Sequence, residues 1–596
     1  MVRWVEKPLE EARVRELAEF GCSPLMARLL ALRGVDKNSY RDYFHPDYRK
    51  LSAPAQLPGI VRAAGLILDE IERGGRIVVF GDYDCDGFCA TAILTRTILK
   101  LGGNAYPFIP RRIGEGYGMT ATSLRRLLSE SGPIALVVTV DNGINSENEI
   151  ASLRRSGIPV IVTDHHLPGE KLPVSSEVFV DPKVPETNTP AKLQTLCGAG
   201  IAYCLAGQLV AEARRRRNDE QLAKGLGGKL FTLAGLATVT DIMPLYGDNR
   251  ILVAESLRNF HRWAPVGLIE LYYRSARSAS TTLTARDFGF MLGPRINACG
   301  RLGDGSEALA LLLSDDREEA RTLALKVDGY NIARKKIEQD MTVAALAKIV
   351  DGASAQVIDL GCSSETVHVG VAGIVAARVL EKLSENETSA GVPVCVLVDG
   401  NGSCRAPAGY NLRAALDECA DLLAHYGGHA LAAGLGVKPG MTEAFRERFV
   451  RAIYEQNERI REEELSTVAI DAWVDPGAIT LELAETIALM EPFGEGNGEP
   501  IFALRSVSIE NLRALGSQGN HLQLTVSAER PLRGVWWNHG QMAAELRDCR
   551  ARRFDIMFTL EISSFGERHV ELKIISMRPS ELFRMVESEA AYAFQH

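Results

Sequence analysis

The chain has 596 residues, of which 46% are hydrophobic and 24% are charged, and its formal net charge is −9. This length exceeds what one hydrophobic core organises and predicts three or four domains, while the composition is ordinary for a soluble globular protein. The negative charge argues against a broadly basic coat for nucleic acid. A polyanion would therefore bind in a local groove lined by Arg and Lys.

Neither a membrane span nor a secretory signal is predicted. No charge-free apolar run reaches about 18 residues, and the opening MVRWVEKPLEEARVRELAEF carries too many charges for a signal peptide. We therefore expect a bacterial-type, cytoplasmic protein. The 11 cysteines are dispersed, without a CxxC pair. Those in apolar or motif contexts are expected to be reduced core residues, namely Cys85, Cys89, Cys197, Cys204 and Cys299.

The first part of the chain divides into an extension and an α/β domain. Residues 1–60 contain short helical stretches and a Pro-rich connection, which predicts an N-terminal extension packed on the first large domain. From 61 to 245, apolar runs alternate with helix-like stretches, as in an α/β domain. The stretch GFCATAILTRTILKLG keeps apolar residues at helical spacing, and Gly102-Gly103 predicts its C-cap.

Acidic clusters follow three runs of β-branched residues. They are Asp82, Asp84 and Asp86 after RIVVFG, Asp141 after ALVVTV, and Asp164-His165-His166 after IPVIVT. Such runs are typical of buried parallel strands, and ligands gather beyond the carboxyl ends of these strands. The clusters are therefore predicted to meet at one edge of a sheet.

Carboxylates and imidazoles brought together there repel one another unless a cation lies between them. The oxygen-rich set favours Mg²⁺ or Mn²⁺ over a thiolate-type zinc centre, and it contains enough acids for two ions. Asp241 ends another apolar segment and is followed by Pro244, which makes it a fourth candidate source of ligands.

The rest of the chain predicts three further parts, which complete an α/β multidomain architecture. A helical connector at 246–350 contains a long helix from about 305, because the chain there lacks Pro and keeps helical periodicity. A second α/β domain covers 351–465, and shorter alternating runs at 466–585 predict a small β-barrel. In the second domain, Gly427, Gly428 and His429 fit a tight turn that feeds a helix, either for close packing or for phosphate binding by backbone amides.

Single motifs leave alternatives open. DxDxDG also opens a calcium loop, but the Glu expected at its twelfth position is Ile93, so that interpretation fails. The same motif occurs around the aspartyl nucleophile of haloacid dehalogenase-type phosphatases, which predicts no Asp-His-His cluster. An isolated Asp-His-His could be a helix N-cap followed by two structural histidines.

Taken in order, the acidic motifs resemble the four motifs of the DHH phosphoesterase superfamily. Five further segments resemble signatures of one of its families, the RecJ exonucleases specific for single-stranded DNA. They are FIPRRIGEGYGM (108–119), PRINACGRL (294–302), HVGVAGIVAAR (368–378), GGHALAAG (427–434) and EPFGEGNGEPIF (491–502). The resemblance covers about residues 60–580. Cys404, Ala406 and Gly498 depart from the family pattern and put fine substrate handling in doubt.

The resemblance implies a DHH catalytic domain, a DHH-associated domain and a C-terminal oligonucleotide-binding (OB) fold. It implies Mn²⁺- or Mg²⁺-dependent 5′→3′ degradation of single-stranded DNA to mononucleotides in recombination and DNA repair, with a single-strand-binding protein and a RecQ-type helicase as further partners. The implied metal ligands are Asp82, Asp84, Asp86, Asp141, His165 and Asp241. The implied catalytic residues are Asp84, Asp141, His165 and His166, and the implied DNA-phosphate contacts are Arg112, Arg295, Arg301, Ser403, Arg405 and His429.

Two other functions stay open from the sequence. Small-substrate phosphoesterases of the superfamily share the metal motifs, although they are generally shorter and lack the barrel. A binding protein that kept the fold and lost the metals would show substituted acids, whereas all the acidic motifs are intact here.

Overall fold

The computed structural model describes residues 3–580, except 117, 276–282, 385–390, 458–466, 517, 549–552 and 564–567. The chain divides into two compact units, which we call the large unit (47–466) and the small unit (2–46 with 467–596). The finer predicted limits at about 245 and 350 stay predictions.

The strands are β1 Arg3–Glu6, β2 Arg76–Phe80, β3 Asn104–Phe108, β4 Leu136–Val140, β5 Val160–Thr163, β6 Val178–Val180, β7 Gln356–Asp359, β8 Val394–Val398, β9 Asn401–Arg405, β10 Leu423–Gly428, β11 Ala432–Val437, β12 Thr467–Ile470, β13 Ala472–Trp473, β14 Phe502–Val507, β15 Ile509–Leu515, β16 His521–Val526, β17 Leu532–Trp536, β18 Phe554–Ser563 and β19 His569–Pro579. The α-helices are α1 Glu11–Glu19, α2 Pro24–Ala31, α3 Tyr40–Phe44, α4 Ile60–Arg73, α5 Cys85–Lys100, α6 Ala121–Glu130, α7 Glu147–Arg155, α8 Gly198–Arg217, α9 Gly227–Thr240, α10 Gly247–Arg258, α11 Phe260–Trp263, α12 Val266–Ser275, α13 Gly293–Leu302, α14 Ser306–Leu313, α15 Arg317–Leu346, α16 Ala372–Ser384, α17 Leu412–Asp417, α18 Thr442–Asn457, α19 Leu481–Ala488 and α20 Met542–Asp548. A π-helical turn, Asp287–Leu292, precedes α13.

The first sheet of the large unit is parallel, with strand order β3-β2-β4-β5-β6. Successive residues of β2 bury on opposite faces: Ile77 and Val79 join one hydrophobic cluster, and Val78 and Phe80 join another. Both faces are therefore covered, which explains the continuous run of β-branched residues. The predicted strands and their parallel arrangement are confirmed.

Two helices lie beside this sheet. Helix α5 ends where predicted, and Gly102 follows it at φ +83°. Helix α4 buries one apolar face that includes Ile60, Ile67 and Ile71. In the described part of the chain no single helix is long and apolar enough to cross a membrane, although the bent pair Tyr48–Gln56 and Ile60–Arg73 (81°) passes that test by length and composition.

The long predicted helix starts later than expected. Helix α14 ends at Leu313, and α15 runs for 30 residues from Arg317. The break occurs because the Asp316 side chain accepts a hydrogen bond from the Glu319 backbone N–H, which caps a new helix.

The second sheet of the large unit has strand order β10-β11-β9-β8-β7. Its strands β8 and β9 form a hairpin whose two turn residues, Asp399 and Gly400, both have positive φ. The predicted helix after Gly427-Gly428 is wrong, because these glycines end β10 and the chain turns at His429 into the antiparallel strand β11.

In the small unit, β1 pairs in parallel with β12, which lies more than 460 residues later in the chain. Residues 17–43 share a hydrophobic cluster with residues 472–577. Residues 3–46 therefore belong to the small unit, so the prediction that they extend the first large domain is wrong.

The other sheet of the small unit has seven strands in the order β13-β14-β18-β19-β17-β16-β15. Register shifts place an extra residue in β14, β15 and β19. Within the described residues no ladder joins β13 to β15, so the arrangement resembles the predicted barrel without closing into one.

The EPFGEGNGEPIF segment is held in the small unit by one asparagine. The amide of Asn497 donates hydrogen bonds to the carbonyls of Met490 and Pro492, and its Oδ1 accepts one from the buried Tyr43 hydroxyl at 2.8 Å. The N-terminal segment is thus bonded to this motif.

Tyr43→Phe is expected to lower the free energy of unfolding of the small unit by about 1 kcal/mol, because it removes the buried hydroxyl that contacts Asn497 Oδ1 and the Met490 carbonyl, with little change of volume. Urea unfolding would measure this change. Tyr454→Phe is the matched control, since Tyr454 is half exposed, and equal stability of both variants would contradict the prediction.

Candidate active site

The acidic side chains meet beyond the carboxyl ends of β2, β4 and β5. Asp82, Asp141 and Asp164 follow these strands closely and are nearly fully buried, as are Asp86 and His165. The parallel topology therefore brings the three sequence clusters to one edge of the first sheet, as such sheets do with ligand-binding groups.

Three overlapping sets of potential metal-ligand atoms occur there, each within 4.8 Å. The sets are Asp82-Asp84-Asp141, Asp86-His165-Asp241 and Asp141-His165-His166. The Nε2 atom of His165 lies 3.1 Å from Asp141 Oδ1 and 3.6 Å from both Asp86 Oδ2 and Asp241 Oδ2. The structure thus brings together all six predicted ligands, and His165 and Asp141 each belong to two sets.

The acids in this centre are held in an unfavourable electrostatic environment. Burial first, and neighbouring carboxylates second, raise the pKa values of Asp82, Asp141 and Asp241 well above their usual range. Burial also lowers the pKa of His165 to about 4, which keeps its imidazole neutral at pH 7.

Three buried oxygens of the centre, Asp82 Oδ1, Asp141 Oδ1 and Asp241 Oδ2, accept no hydrogen bond within the described part of the chain. Unsatisfied buried carboxylate oxygens are costly, and a divalent cation would both neutralise and coordinate them. The oxygen-rich set with neutral imidazole therefore fits Mg²⁺ or Mn²⁺.

Two of the acids are oriented by helix starts. Asp84 caps α5 by accepting a hydrogen bond from the Gly87 N–H at 3.0 Å. Both oxygens of Asp86 accept 2.7 Å bonds from the backbone N–H groups of Gly198 and Ala199 at the start of α8. Each of these oxygens keeps a second lone pair for a cation.

Asp141 is fixed by its backbone conformation. Its φ is +62°, a region in which Asp is better tolerated than most residues. A Cβ on Gly198 would lie 2.4 Å from the Asp141 Cβ, so this glycine lets α8 approach the acid.

Asp164 positions the two histidines. Its Oδ1 accepts a hydrogen bond from the His165 backbone N–H at 2.7 Å and lies 2.7 Å from His166 Nδ1, while its Oδ2 accepts one from the Ile144 N–H. Burial acts to lower the pKa of His166, but the hydrogen bond and charge of Asp164 outweigh it and raise this pKa to about 9. His166 is therefore a cation at neutral pH beside the acidic centre.

A cleft of about 740 Å³ lies between the two sheets of the large unit. From the side of the first sheet it is lined by Tyr83, Arg112, Asn145, His166 and Leu167. From the side of the second sheet it is lined by Asn401, Ser403, His425, His429 and neighbouring glycines. Tyr83 and His166, which are neighbours in sequence of the metal ligands, thus place this polar cleft beside the metal-ligand group.

The six predicted DNA contacts differ in whether they line the cleft. Arg112, Ser403 and His429 do line it. Arg301 donates a hydrogen bond to the carbonyl of Gly370, a residue that lines the cleft, and burial followed by the charge of Arg112 lowers the pKa of Arg301 to about 10.

Two further predicted DNA contacts, Arg405 and Arg295, are not among the residues that line the cleft. Arg405 lies two residues after Ser403 on the same face of β9, and burial lowers its pKa. The guanidinium of Arg295 pairs with Asp328 at 2.9 Å and donates to the Met291 carbonyl.

Sequence reasoning did not single out Tyr83, Asn145 or His425, which also line the cleft. Arg112 lies 5.1 Å over the Tyr83 ring, and this cation–π contact holds the guanidinium in the wall of the cleft. A signal for Tyr83 existed, since it lies inside the first acidic motif.

The PRINACGRL segment supports the first acidic loop. A Cβ on Gly300 would lie 1.9 Å from the Tyr83 carbonyl oxygen, so only glycine allows α13 to come this close. Asn297 accepts a 2.7 Å hydrogen bond from the Cys85 N–H in the same loop. The motif therefore positions the acids from outside the ligand set.

Comparisons with known proteins agree with this geometry. Residues 76–231 match the family model of the DHH family, N-terminal domain, and residues 470–576 match that of the RecJ OB domain. The second match confirms the predicted C-terminal OB-type domain.

Curated relatives cover most of the chain. The single-stranded-DNA-specific exonuclease RecJ of Escherichia coli is 32% identical over 93% of this chain and 96% of its own length. The Thermus thermophilus protein of that name is 35% identical over 84% of this chain and 70% of its length.

Solved structures show the same fold. RecJ in complex with Mn²⁺ from Thermus thermophilus matches with a TM-score of 0.80 and 31% identity over 97% of this chain and 80% of that chain. A manganese-bound exonuclease RecJ matches with a TM-score of 0.58 and 34% identity over 69% of this chain and 98% of that chain. The chain therefore belongs to the RecJ family of single-stranded-DNA-specific exonucleases.

Proposed function

We propose that this RecJ-family enzyme hydrolyses single-stranded DNA from its 5′ end to mononucleotides, with two divalent cations in the acidic centre. The observation that carries the proposal is the contact between two sets of ligand atoms, Asp82-Asp84-Asp141 and Asp86-His165-Asp241. Asp141 Oδ1 lies 3.1 Å from His165 Nε2, so the two sets adjoin, as ligands for two neighbouring ions would.

The metal ligands in this proposal are Asp82, Asp84, Asp86, Asp141, His165 and Asp241. When bound, Mg²⁺ or Mn²⁺ ions supply an activated water and neutralise charge on the scissile phosphate and the leaving oxygen. Hydrogen bonds from backbone N–H groups at the starts of α5 and α8 orient the carboxylates of Asp84 and Asp86. The positive φ of Asp141 fixes the position of its side chain.

The cationic His166 is placed to bind the scissile phosphate. Asp164 orients its ring through Nδ1, and the positive charge of the ring attracts a phosphate oxygen. Asp164 thus acts as a positioning residue, and His166 is the proposed phosphate contact.

The cationic and hydroxyl groups around the cleft are proposed to bind the 5′-terminal phosphate. Arg112 supplies donors from the side of the first sheet and Ser403 from the side of the second sheet, Arg405 and Arg301 add positive charge, and His429 lies in the turn after β10. Because Arg295 is engaged by Asp328, its implied contact has the weakest structural support. The volume of the cleft is in the range of small-ligand pockets, which suits a terminal nucleotide better than a duplex.

The decisive experiment is digestion of a 3′-labelled oligonucleotide with Mn²⁺. We expect stepwise shortening of a single strand with a free 5′ end, and no digestion of a blunt duplex, of a 5′-blocked strand or of any strand in EDTA. Digestion of the 5′-blocked strand would overturn the proposed polarity. Cleavage of dinucleotides alone would indicate a small-substrate phosphoesterase.

We also propose a cytoplasmic role in recombination and DNA repair, with a single-strand-binding protein and a RecQ-type helicase as partners. This proposal is supported by family membership alone. Co-purification of the full-length chain with each purified partner tests it.

A further inference from the structure

A second cavity, of about 610 Å³, adjoins the cleft through Leu167. It is lined by Leu167, Lys183, Asn188, Thr189, Gln194 and Thr195 with intervening prolines. Leu167 directly follows His166, is 61% exposed and also lines the cleft. The two cavities therefore share one wall beside His166.

Lys183 gives this cavity a positive charge. It follows β6, and its backbone N–H donates a 2.8 Å hydrogen bond to Asp181 Oδ1, which fixes the turn. Its ammonium group forms no salt bridge with a described residue. Burial dominates the pKa values of His165 and Asp241, but the charge of Lys183 also contributes to both, so this ammonium lies within electrostatic reach of the centre.

The other described side chains of this cavity suit a phosphodiester strand. Asn188, Gln194 and the two threonines offer neutral hydrogen-bonding groups, and Leu167 offers an apolar surface for a sugar or base. No described side chain that lines the cavity is a carboxylate. One unpaired cation among neutral groups is complementary to a single phosphate.

We propose that this cavity binds the strand on the 3′ side of the scissile bond, with Lys183 contacting the first phosphate beyond that bond. This assignment rests on the proposed function, in which the cleft on the other side of Leu167 takes the 5′-terminal nucleotide. The two cavities then hold the strand on both sides of the acidic centre.

Kinetics on two 5′-phosphorylated oligothymidylates can distinguish a contact between Lys183 and the 3′ strand from a general effect of the Lys183 charge on the acidic centre. A dinucleotide ends after the nucleoside that follows the scissile phosphate, whereas a tetranucleotide carries two more phosphates in the proposed cavity. Steady-state kcat/KM is measured on both with wild type, Lys183→Ala, Lys183→Arg and the control Lys171→Ala, whose side chain is exposed and lines neither cavity.

For Lys183→Ala we expect a loss of about fivefold to tenfold in kcat/KM on the tetranucleotide and less than about twofold on the dinucleotide. The slope of log kcat/KM against log salt on the tetranucleotide should become shallower by about 0.7, as expected when one phosphate contact to a single strand is lost. Lys183→Arg and Lys171→Ala should behave as wild type.

Equal losses on both substrates would overturn the assignment, because Lys183 would then act on the centre itself. Unchanged activity on both would overturn it as well. A wild-type enzyme that cleaves neither substrate would instead overturn the proposed function, and this inference with it.

Discussion

Asp141→Asn is expected to lower kcat for Mn²⁺-dependent hydrolysis of single-stranded DNA by at least about 10³-fold, since metal ions supply several kcal/mol of transition-state stabilisation. Asp141 shares one set of ligand atoms with Asp82 and Asp84, and its Oδ1 lies 3.1 Å from His165 Nε2 in the other set, so its loss weakens both proposed ion positions. Asn tolerates the positive φ of this residue and has nearly the same volume. Single-turnover digestion of a labelled strand measures the loss.

The matched control is Asp399→Asn. Asp399 also has a positive φ, of 50°, but it is exposed at the turn of the β8–β9 hairpin. We expect this variant to keep wild-type kcat. Asp141→Asn should also retain a cooperative unfolding transition, and retained turnover in this variant would remove Asp141 from the catalytic centre.

Removal of metal by EDTA is expected to abolish hydrolysis and to leave a protein whose stability falls as pH rises from 7 to 9. The native pKa values of Asp82, Asp141 and Asp241 are raised, so the folded metal-free protein binds more protons than the unfolded chain. By linkage, stability is lost as pH rises through the native values. His166, whose native pKa is raised to about 9, acts in the same direction, whereas His165 contributes only below about pH 7.

Thermal unfolding at pH 7 and 9, with EDTA and with Mg²⁺, measures this dependence. Cation binding requires deprotonated carboxylates, so the ion should stabilise more at pH 9, and at about 100 times its Kd it adds about 2.7 kcal/mol. A metal-free protein that becomes more stable between pH 7 and 9 would contradict the raised pKa values. Asp141→Asn should show a smaller pH dependence than wild type in EDTA.

Those parts of the fold that depend on local pattern could be predicted from the sequence. The β2, β4 and β5 runs are buried on both faces, and such strands read as continuous β-branched segments. Because parallel strands end at one edge, the acids after them were expected to meet, and the structure brings them together. The start of α15 also had a local signal, since Asp316 and Glu319 have the spacing of a helix N-terminus.

Features that depend on distant partners could not be predicted in this way. The pairing of β1 with β12 joins segments that share no local sequence pattern. The sequence alone therefore places the N-terminal extension with the first large domain, whereas the structure places it in the small unit. The small residues after Gly427 suit a helix and a strand equally, and only the pairing of β10 with β11 decides between them. Lys183 lies in no recognisable sequence motif, and only its position in the wall of the second cavity indicates a role in binding DNA.

The pairing of β1 with β12 also bears on synthesis. The segment that ends at Pro46 is made first, yet its hydrogen-bonding partner emerges only after the large unit has been translated. Domains generally fold as units during synthesis, so the large unit, with its own clusters of buried residues, can fold while the first strand still has a free edge. While about 400 further residues are synthesised, β1 has no partner strand and can pair with other chains. The charged residues Arg3 and Glu6 in β1 disfavour such pairing.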